Sequence, residues 1–394
     1  MAKQKKNIQQ QVEEYLKSRY DFRYNTIANR IEIKEKKATE WQEANENNLW
    51  RELTNLGYNY PVTRIICLLK SDFVPQFNPF KEYFENLEPW QDGIDHIQEL
   101  CNYVRVQPET DQDRFVVMFT KWLVRTIRCA LGGKMNKQVI MLVGGQNAGK
   151  TSFFRFLLPE PLKEYYKENI DPSNKDHRIA AAQKLIINFD EVDSMGRVDI
   201  AALKSFISME KIDDRLPYDR KPSSLPRVCS FVGSTNKTEF LYDETGNVRW
   251  ICFTLDHIVF DKTDPTKPNY NKIDMNKVWA QAYSHYQDKT FICDLTDEEI
   301  QKNEVINQNF MVRTEEMEAI SAMMRRPYDG ETSEFLTTSQ IKDRLCNPKL
   351  NIQKIGRALT TYKYNRHSER TENSPYPIYG YDVIFINEQK ISEM

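Results

Sequence analysis

The chain has 394 residues, and 55 Lys and Arg against 57 Asp and Glu leave a net charge of only −2. A chain of this length predicts two to three domains, because domains average about 150 residues. The balanced charge excludes a globally basic nucleic-acid-binding protein but leaves room for local basic faces. No apolar run approaches the ~18 residues of a membrane span, so we expect a soluble, cytoplasmic protein without a membrane partner.

The cysteines and histidines carry no metal or disulfide pattern. The seven cysteines are scattered without a CxxC pair, and the five histidines stand alone. We therefore expect neither a disulfide framework nor a structural transition-metal site.

The first third of the chain predicts helices and one alternating segment. Residues 8–19 have the pattern of a short amphipathic helix, and 20–33 alternate as strands do. Residues 45–70 predict an interrupted helical stretch. From 93 to 131, apolar residues recur at helical spacing, which predicts a small helical unit leading into the centre of the protein.

Short, continuous apolar runs predict buried parallel strands in the middle of the chain. Four such runs stand at 138–143, 184–189, 228–233 and 250–255. Helical stretches lie between some of them, so residues 135–258 predict an α/β nucleotide-binding core. A helical stretch is then expected from about 274 to 324.

The C-terminal segment 333–387 predicts helix, helix and strand–turn–strand, the order of a winged helix-turn-helix. Residues 335–370 include eight basic and two acidic residues, which gives a local charge of +6. Such a cluster is typical of a nucleic-acid footprint, and Lys354, Arg357 and Lys363 are its candidate DNA contacts. The alternative is a solvated face on a small oligomerisation or packing domain.

One run matches the phosphate-binding pattern G-x-x-x-x-G-K-[ST] in full, between an apolar strand and a predicted helix. Its glycines let backbone N–H groups curl around a phosphate. Lys150 would reach the β- and γ-phosphate oxygens, and the Thr151 hydroxyl would ligate Mg²⁺. The sequence therefore predicts ATP and Mg²⁺ as ligands, and the candidate nucleotide contacts are Gly144, Gly145, Gln146, Asn147, Ala148, Gly149, Lys150, Thr151 and Ser152.

An acidic pair follows the strand at 184–189. Asp190 at the end of a strand can hold the water shell of Mg²⁺, and Glu191 is placed to polarise an attacking water. An acidic pair after a strand is a weak signal alone. Lying 40 residues after Lys150 (190 − 150 = 40), it favours a hydrolase.

Two further polar positions complete the pattern. Asn236 ends the strand VCSFVGSTN, where an amide beside the γ-phosphate can hold the hydrolytic water. Arg249 precedes the next strand, and an oligomeric ATPase inserts such an arginine into its neighbour's site. An ordinary salt bridge is the alternative for Arg249.

In this order and spacing, the four elements resemble the superfamily 3 helicases of the AAA+ class. They resemble more closely the virulence-associated protein E family of phage and mobile-element replication proteins. The resemblance covers roughly residues 75–260. It is carried by NPFKEYFENLEPWQDG at 78–93, GGQNAGKTSFFRFL at 144–157, KLIINFDEVD at 184–193 and, most specifically, LKSFISMEKIDDRLPYDRKPSSLPRVCSFVGSTNKTEFLYDETGNVRW at 203–250.

Together with the predicted elements, the resemblance predicts an α/β fold with a P-loop AAA+ core, a helical N-terminal region and a C-terminal winged-helix module. The expected domains are an N-terminal arm or small domain of unassigned role at 1–75, a helical collar-like domain at 76–134, the ATPase and helicase domain at 135–325 and the winged-helix-like domain at 326–394.

It also implies a homo-oligomeric ring, expected to have six subunits, in the cytoplasm of a bacterial host cell. Asp190, Glu191 and Asn236 would act within one subunit, and Arg249 would complete the neighbour's site. Single-stranded or forked DNA and a separate primase or initiator are the expected partners. The DNA-contacting loop of these helicases falls on a stretch whose cations and ring suit single-stranded DNA: Arg215, Tyr218, Arg220 and Lys221. An ordinary charged hairpin is the alternative for that stretch.

Three functions fit these observations, and a fourth, a P-loop small-molecule kinase, is disfavoured because nothing in the sequence resembles an acceptor pocket or an Arg-rich lid. The first is an ATP-dependent DNA helicase or translocase in the replication of a phage or mobile genetic element. The second keeps the ATPase without processive unwinding, as an AAA+ initiator, loader or defence switch. The third is a binding protein in which the nucleotide is structural, and Glu191 argues against it because a non-hydrolysing site has no use for that carboxylate.

Overall fold

The chain forms two compact units, each built around its own sheet or sheets. The units are Met1–Thr238 with Val248–Asn307, and Glu239–Asn247 with Gln308–Met394. The computed structural model describes residues 7–192, 197–214, 223–242, 247–260, 269–328, 330–370 and 376–386. Over these residues, no helix combines the length and the apolar character that crossing a bilayer requires.

The first unit begins with a mixed α/β region around a four-stranded sheet of order β3-β2-β1-β4. The predicted helix at 8–19 and the strands within 20–33 are confirmed. The expected helical character of the N-terminal region is only part of the structure here, because α1, α2 and α3 accompany a sheet whose two-residue strands β3 and β4 leave no periodic pattern in the sequence. The elements are α1 (Ile8–Arg19), β1 (Tyr20–Asn25), β2 (Arg30–Glu35), β3 (Gln42–Glu43), α2 (Glu46–Asn55), α3 (Val62–Leu69) and β4 (Gln76–Phe77).

The rest of the first unit surrounds a six-stranded sheet. Its elements are α4 (Pro79–Glu85), α5 (His96–Cys101), β5 (Val104–Gln107), α6 (Gln112–Ala130), β6 (Val139–Val143), α7 (Lys150–Phe156), β7 (Tyr166–Glu168), α8 (Lys175–Ala180), β8 (Ile186–Phe189), α9 (Arg197–Ser208), β9 (Lys211–Asp214), β10 (Ser223–Pro226), β11 (Ser230–Thr235), β12 (Trp250–Ile258), α10 (Met275–Gln287) and α11 (Asp297–Asn307).

The six-stranded sheet has the order β5-β12-β6-β11-β8-β7. The strands from β12 to β7 pair in parallel, and β5 pairs antiparallel with β12. Every residue of β6, β8 and β11 is buried, as expected for strands covered on both faces. All four strands predicted from apolar runs are confirmed as members of this sheet.

Helix α6 packs against this sheet. The Trp122 indole N–H donates to the carbonyl oxygen of Phe231 at 3.0 Å. The rings of Phe115 and Phe253 pack in a T-shaped arrangement with their centres 5.1 Å apart. The prediction of a purely helical segment over 93–131 is wrong at β5, which lies inside it. Only two apolar positions alternate in that four-residue strand, too few to be distinguished from a helical pattern.

The predicted helical stretch from 274 to 324 is three helices. A reciprocal cap starts α11, because Thr296 Oγ1 accepts from the Glu299 N–H at 3.2 Å and Glu299 Oε2 accepts from the Thr296 N–H at 2.9 Å. A second cap at Thr314 starts the helix that follows in the other unit. These local caps outweigh the continuous apolar pattern.

The second unit contains a short helix bundle against antiparallel strands. Its elements are α12 (Glu315–Met323), β13 (Met324–Arg325), β14 (Glu334–Leu336), α13 (Thr338–Arg344), α14 (Ile352–Thr361), β15 (Arg366–Glu369) and β16 (Ile378–Phe385). Strand β16 pairs antiparallel with β13, β14 and β15. Helix α12 packs on α14, upstream of the expected domain boundary at 326. The domain boundaries themselves stay predictions.

Gly233 occupies the centre of β11, where a side chain has no room. A Cβ there would meet the Met141 Sδ far inside contact distance and the Phe189 carbonyl oxygen at 3.2 Å. We expect Gly233→Ala to lower the free energy of unfolding by about 1–3 kcal/mol, as overpacking does. Urea unfolding checks this, and Met141→Ala added to Gly233→Ala should recover part of the loss. An unchanged unfolding midpoint in the single variant would contradict the tight contact.

Candidate nucleotide-binding site

Three strand ends converge at one edge of the six-stranded sheet. Gly144 follows β6, Asn236 follows β11 and Asp190 follows β8. Parallel strands end at the same edge, and β11 lies between β6 and β8. Asn236 therefore leaves the sheet between the phosphate-binding loop and the acidic pair.

The loop after β6 turns through left-handed backbone. Asn147 and Gly149 have φ values of 62° and 83°, and α7 begins directly after Gly149. A Cβ at Gly149 would meet nothing within 4 Å, so the backbone angle, rather than space, favours glycine there. The Gly144 N–H donates to the Thr235 carbonyl oxygen at 3.1 Å, which fixes the start of the loop to β11.

The Lys150 side chain folds back over its own loop. Its Nζ donates to the carbonyl oxygens of Gly144 and Gly145 at 2.7 and 2.8 Å and to Asn236 Oδ1 at 3.0 Å. Lys150 is only 6% exposed. The predicted loop lysine and the predicted strand-end amide are thus in direct contact.

Asp190 gathers hydroxyl groups from two other segments. Thr151 Oγ1 donates to Asp190 Oδ2 at 3.0 Å, and Ser234 Oγ donates to Asp190 Oδ1. The sequence did not predict Ser234 as a site residue. The signal that could have identified it is its position as a polar residue at the end of a strand. Glu191 has a φ of 52°, a backbone conformation that costs free energy in a residue other than glycine and that clusters at functional sites.

These donors fit Mg²⁺ better than a transition metal. They are hydroxyl and carboxylate oxygens, and Mg²⁺ is commonly held by one or two carboxylates together with phosphate oxygens and water. Among the residues that the structure describes, no group of three His, Cys, Asp or Glu side chains could hold a metal ion. The site residues therefore suit a cation that arrives with a phosphate ligand.

The convergence leaves a polar cleft of about 360 Å³. Gly144 and Gly145 do not line the cleft. Their carbonyl oxygens accept hydrogen bonds from Lys150. The cleft brings together the other predicted nucleotide contacts, both acidic residues and Asn236, and is lined by Gln146, Asn147, Ala148, Gly149, Lys150, Thr151, Ser152, Asp190, Glu191, Ser234, Thr235 and Asn236.

Arg249 lies at the opposite edge of the same sheet. It directly precedes β12, whose Trp250 pairs with Val139 at the start of β6. The loop that matches the phosphate-binding pattern starts after Val143, so the Arg249 backbone is about 15 Å back along the sheet. The half-buried Arg249 donates from Nε to Ser208 Oγ at 2.8 Å, a contact that the sequence did not predict. The structure does not bring Arg249 into its own subunit's cleft.

The predicted DNA loop belongs to a hairpin of β9 and β10, which pair antiparallel. Arg215, Tyr218, Arg220 and Lys221 lie outside the described residues. The base of the hairpin is held by the buried Arg227, whose guanidinium donates to the carbonyl oxygens of Met209, Cys229 and Asn136 at 2.9–3.1 Å. Asn136 precedes β6, so the hairpin starts from the edge of the sheet that carries Arg249.

Of the three predicted DNA contacts of the second unit, Lys363 lines a pocket whose lining does not include the other two. Lys354 and Arg357 are exposed and lie one helical turn apart on α14. Lys363 lies beyond the other end of that helix, next to Arg326 and Tyr328 in a separate pocket.

Comparisons with known proteins agree with this fold. The model of the virulence-associated protein E-like domain matches residues 84–312, which is 229 of 394 residues (312 − 84 + 1 = 229). No curated protein matches the chain.

Solved structures of one protein region resemble the chain along nearly its whole length. An apo structure of the NrS-1 C-terminal region has a TM-score of 0.55 at 14% identity and covers 96% of this chain and 99% of that chain. Two structures of its apo A form have TM-scores of 0.51 and 0.53 at 13% and 12% identity, covering 96% and 95% of this chain and 99% and 98% of theirs. At these identities the likeness concerns the fold alone.

Proposed function

The chain belongs to the virulence-associated protein E-like domain family, and from this premise we propose that it is an ATP-dependent DNA helicase or translocase that acts in the replication of a phage or mobile genetic element. The observation that carries the proposal is the convergence of Lys150, Asp190 and Asn236 at one edge of the sheet, with Arg249 at the other. In this proposal the core is a P-loop AAA+ domain and the second unit is a winged-helix module.

ATP and Mg²⁺ are the proposed ligands of the cleft. The γ-phosphate would take the Lys150 donors that now bond to loop carbonyl oxygens and Asn236. Thr151 and Asp190 would hold Mg²⁺, whose charge stabilises the transferring phosphoryl group. Glu191 would accept the proton of the attacking water, and Asn236 would orient that water.

The position of Arg249 supports a ring. Arg249 lies about 15 Å along the sheet from its own subunit's cleft, so in this proposal its guanidinium serves the γ-phosphate of a neighbour. Repeating that contact generates a head-to-tail interface, which closes into a ring when the rotation fits. We propose a homo-oligomer, expected to be a hexamer, in which each site needs two subunits.

DNA is the proposed substrate of the ring. Strands β9 and β10 start from the same sheet edge as Arg249, and the predicted contacts Arg215, Tyr218, Arg220 and Lys221 lie between these strands in sequence. Lys354 and Arg357 on α14 are the proposed duplex contacts of the winged-helix module. A separate primase or initiator would load the ring on forked DNA.

A second candidate is an AAA+ initiator, loader or defence switch that remodels DNA without processive unwinding. The exposed pair on α14 favours it, because a winged-helix surface alone can hold the protein on duplex DNA. The two candidates differ in whether the hairpin or α14 limits the activity.

Unwinding of a fork separates the two candidates. We expect Arg220→Ala with Lys221→Ala to reduce strand separation on a labelled fork by about tenfold or more, because two backbone contacts are lost. The pair Lys354→Ala with Arg357→Ala serves as the charge-matched comparison and should mainly weaken duplex binding. Wild-type protein that hydrolyses ATP but separates no fork would support the second candidate instead.

A further inference from the structure

A cationic pocket lies at the C-terminal end of α14 in the second unit. It has a volume of about 380 Å³ and is lined by Arg325, Arg326, Pro327, Tyr328, Lys363 and Asn365. Three of these six residues are cations, and one is a tyrosine whose side chain stands largely in solvent. Lys354, in the first turn of α14, and Arg357, in its middle, are not among the residues that line the pocket.

The cations of the pocket differ in their partners. Arg325 bonds to Glu331 at 2.7 Å and lies 5.1 Å from the centre of the Tyr328 ring. Arg326 and Lys363 are exposed, and within the described part of the chain neither forms an ion pair with a carboxylate. Tyr328 is 75% exposed, so its ring offers an open face beside two positive charges.

Lys363 stands where a helix end favours glycine. Its N–H donates to the Thr360 carbonyl oxygen and the Tyr364 N–H donates to that of Leu359, both at 2.9 Å, the bonds of a Schellman motif. The residue at this place adopts left-handed backbone, and Lys363 has a φ of 57°. A lysine is strained there, and residues held in such conformations cluster at functional sites.

We propose that this pocket is a contact site for single-stranded DNA, with Tyr328 stacking on a base and Arg326 and Lys363 holding the flanking phosphates. Positive charge next to an exposed ring matches a strand whose bases are unstacked. A duplex offers the cations its phosphates but keeps its bases inside the stack. The site deepens the proposed DNA-binding function, and it would let the second unit hold one displaced strand while α14 binds duplex.

The test is binding of labelled oligothymidine and of a duplex to the full chain without nucleotide, measured by fluorescence anisotropy. We expect Tyr328→Ala to weaken oligothymidine binding by about tenfold and Tyr328→Phe to leave it unchanged, because the ring carries the stacking. Duplex binding should stay within twofold of wild type in both variants. Equal losses on both DNAs, or no loss on oligothymidine, would overturn the site.

Lys363→Gly supplies a readout that a merely structural role would not give. Glycine relieves the left-handed strain, so the thermal unfolding midpoint should rise while oligothymidine affinity falls and its salt dependence becomes shallower. Lys289 is an exposed lysine of the other unit, and Lys289→Ala is the charge-matched control. It should leave the unfolding midpoint, the oligothymidine affinity and its salt dependence unchanged. An affinity that is unchanged in Lys363→Gly would contradict the phosphate contact. All these measurements need no hydrolysis, so a failure of the proposed ATPase would not imitate a failure of the pocket.

Discussion

Glu191→Gln is expected to lower ATP turnover by about 10²–10⁴-fold while ATP still binds, because the amide cannot accept the proton of the attacking water. Glu191 lines the cleft next to Asp190, whereas the residues proposed to hold the phosphates and Mg²⁺ are Lys150, Thr151 and Asp190. The loss should therefore fall on kcat, with the Kd for ATP near that of the wild type. Steady-state hydrolysis and binding of a fluorescent ATP analogue measure the two quantities.

The exposed Glu160, outside the cleft, provides the matched control for this substitution. Glu160→Gln carries the same chemical change and should leave turnover unchanged. If Glu191→Gln retained wild-type turnover, or if its Kd for ATP rose in parallel with the loss of kcat, Glu191 would not be the general base.

Arg249→Ala is expected to reduce turnover by about 10³-fold or more, because an arginine supplied to a neighbour's γ-phosphate stabilises the charge of the transition state. The same substitution also removes the bond to Ser208. Ser208→Ala therefore separates the two effects, since it removes that bond but keeps the guanidinium. We expect Ser208→Ala to retain most of the turnover, measured in the same assay at several protein concentrations.

A result in which Ser208→Ala lost as much turnover as Arg249→Ala would assign Arg249 a role in holding α9, not a role at the neighbour's site. Turnover of the wild type that does not rise with protein concentration would argue in the same direction, because an interface site needs assembled subunits.

Much of the central sheet and its site could be predicted because their physics is local. Buried parallel strands leave continuous apolar runs, and the polar residues of interest follow directly at the strand ends, as Asp190 follows β8. The residues of the predicted phosphate-binding loop are adjacent in sequence, so one short motif includes its left-handed positions at Asn147 and Gly149.

The rest depends on contacts between segments far apart in sequence. Ser234 reaches Asp190 across 44 residues, and Ser208 meets Arg249 across 41, and neither pair has a spacing that a motif records. The sequence does not distinguish strand β5 from a helix, because four residues carry too little periodicity. The separation of Lys363 from Lys354 is set by the end of α14, which a count of charges does not reveal.

The most direct test of the shared ATP site mixes two inactive proteins. Lys150→Ala removes the lysine of its own cleft but keeps Arg249, and Arg249→Ala keeps its own cleft but lacks the arginine. The two are mixed in equal amounts, dissociated and allowed to reassemble with single-stranded DNA, and hydrolysis is measured. The account predicts recovery to about a quarter of the wild-type rate, since a quarter of randomly formed interfaces pair an intact cleft with an intact Arg249. A rate no higher than the sum of the two separate proteins, in mixed oligomers verified to contain both, would contradict it.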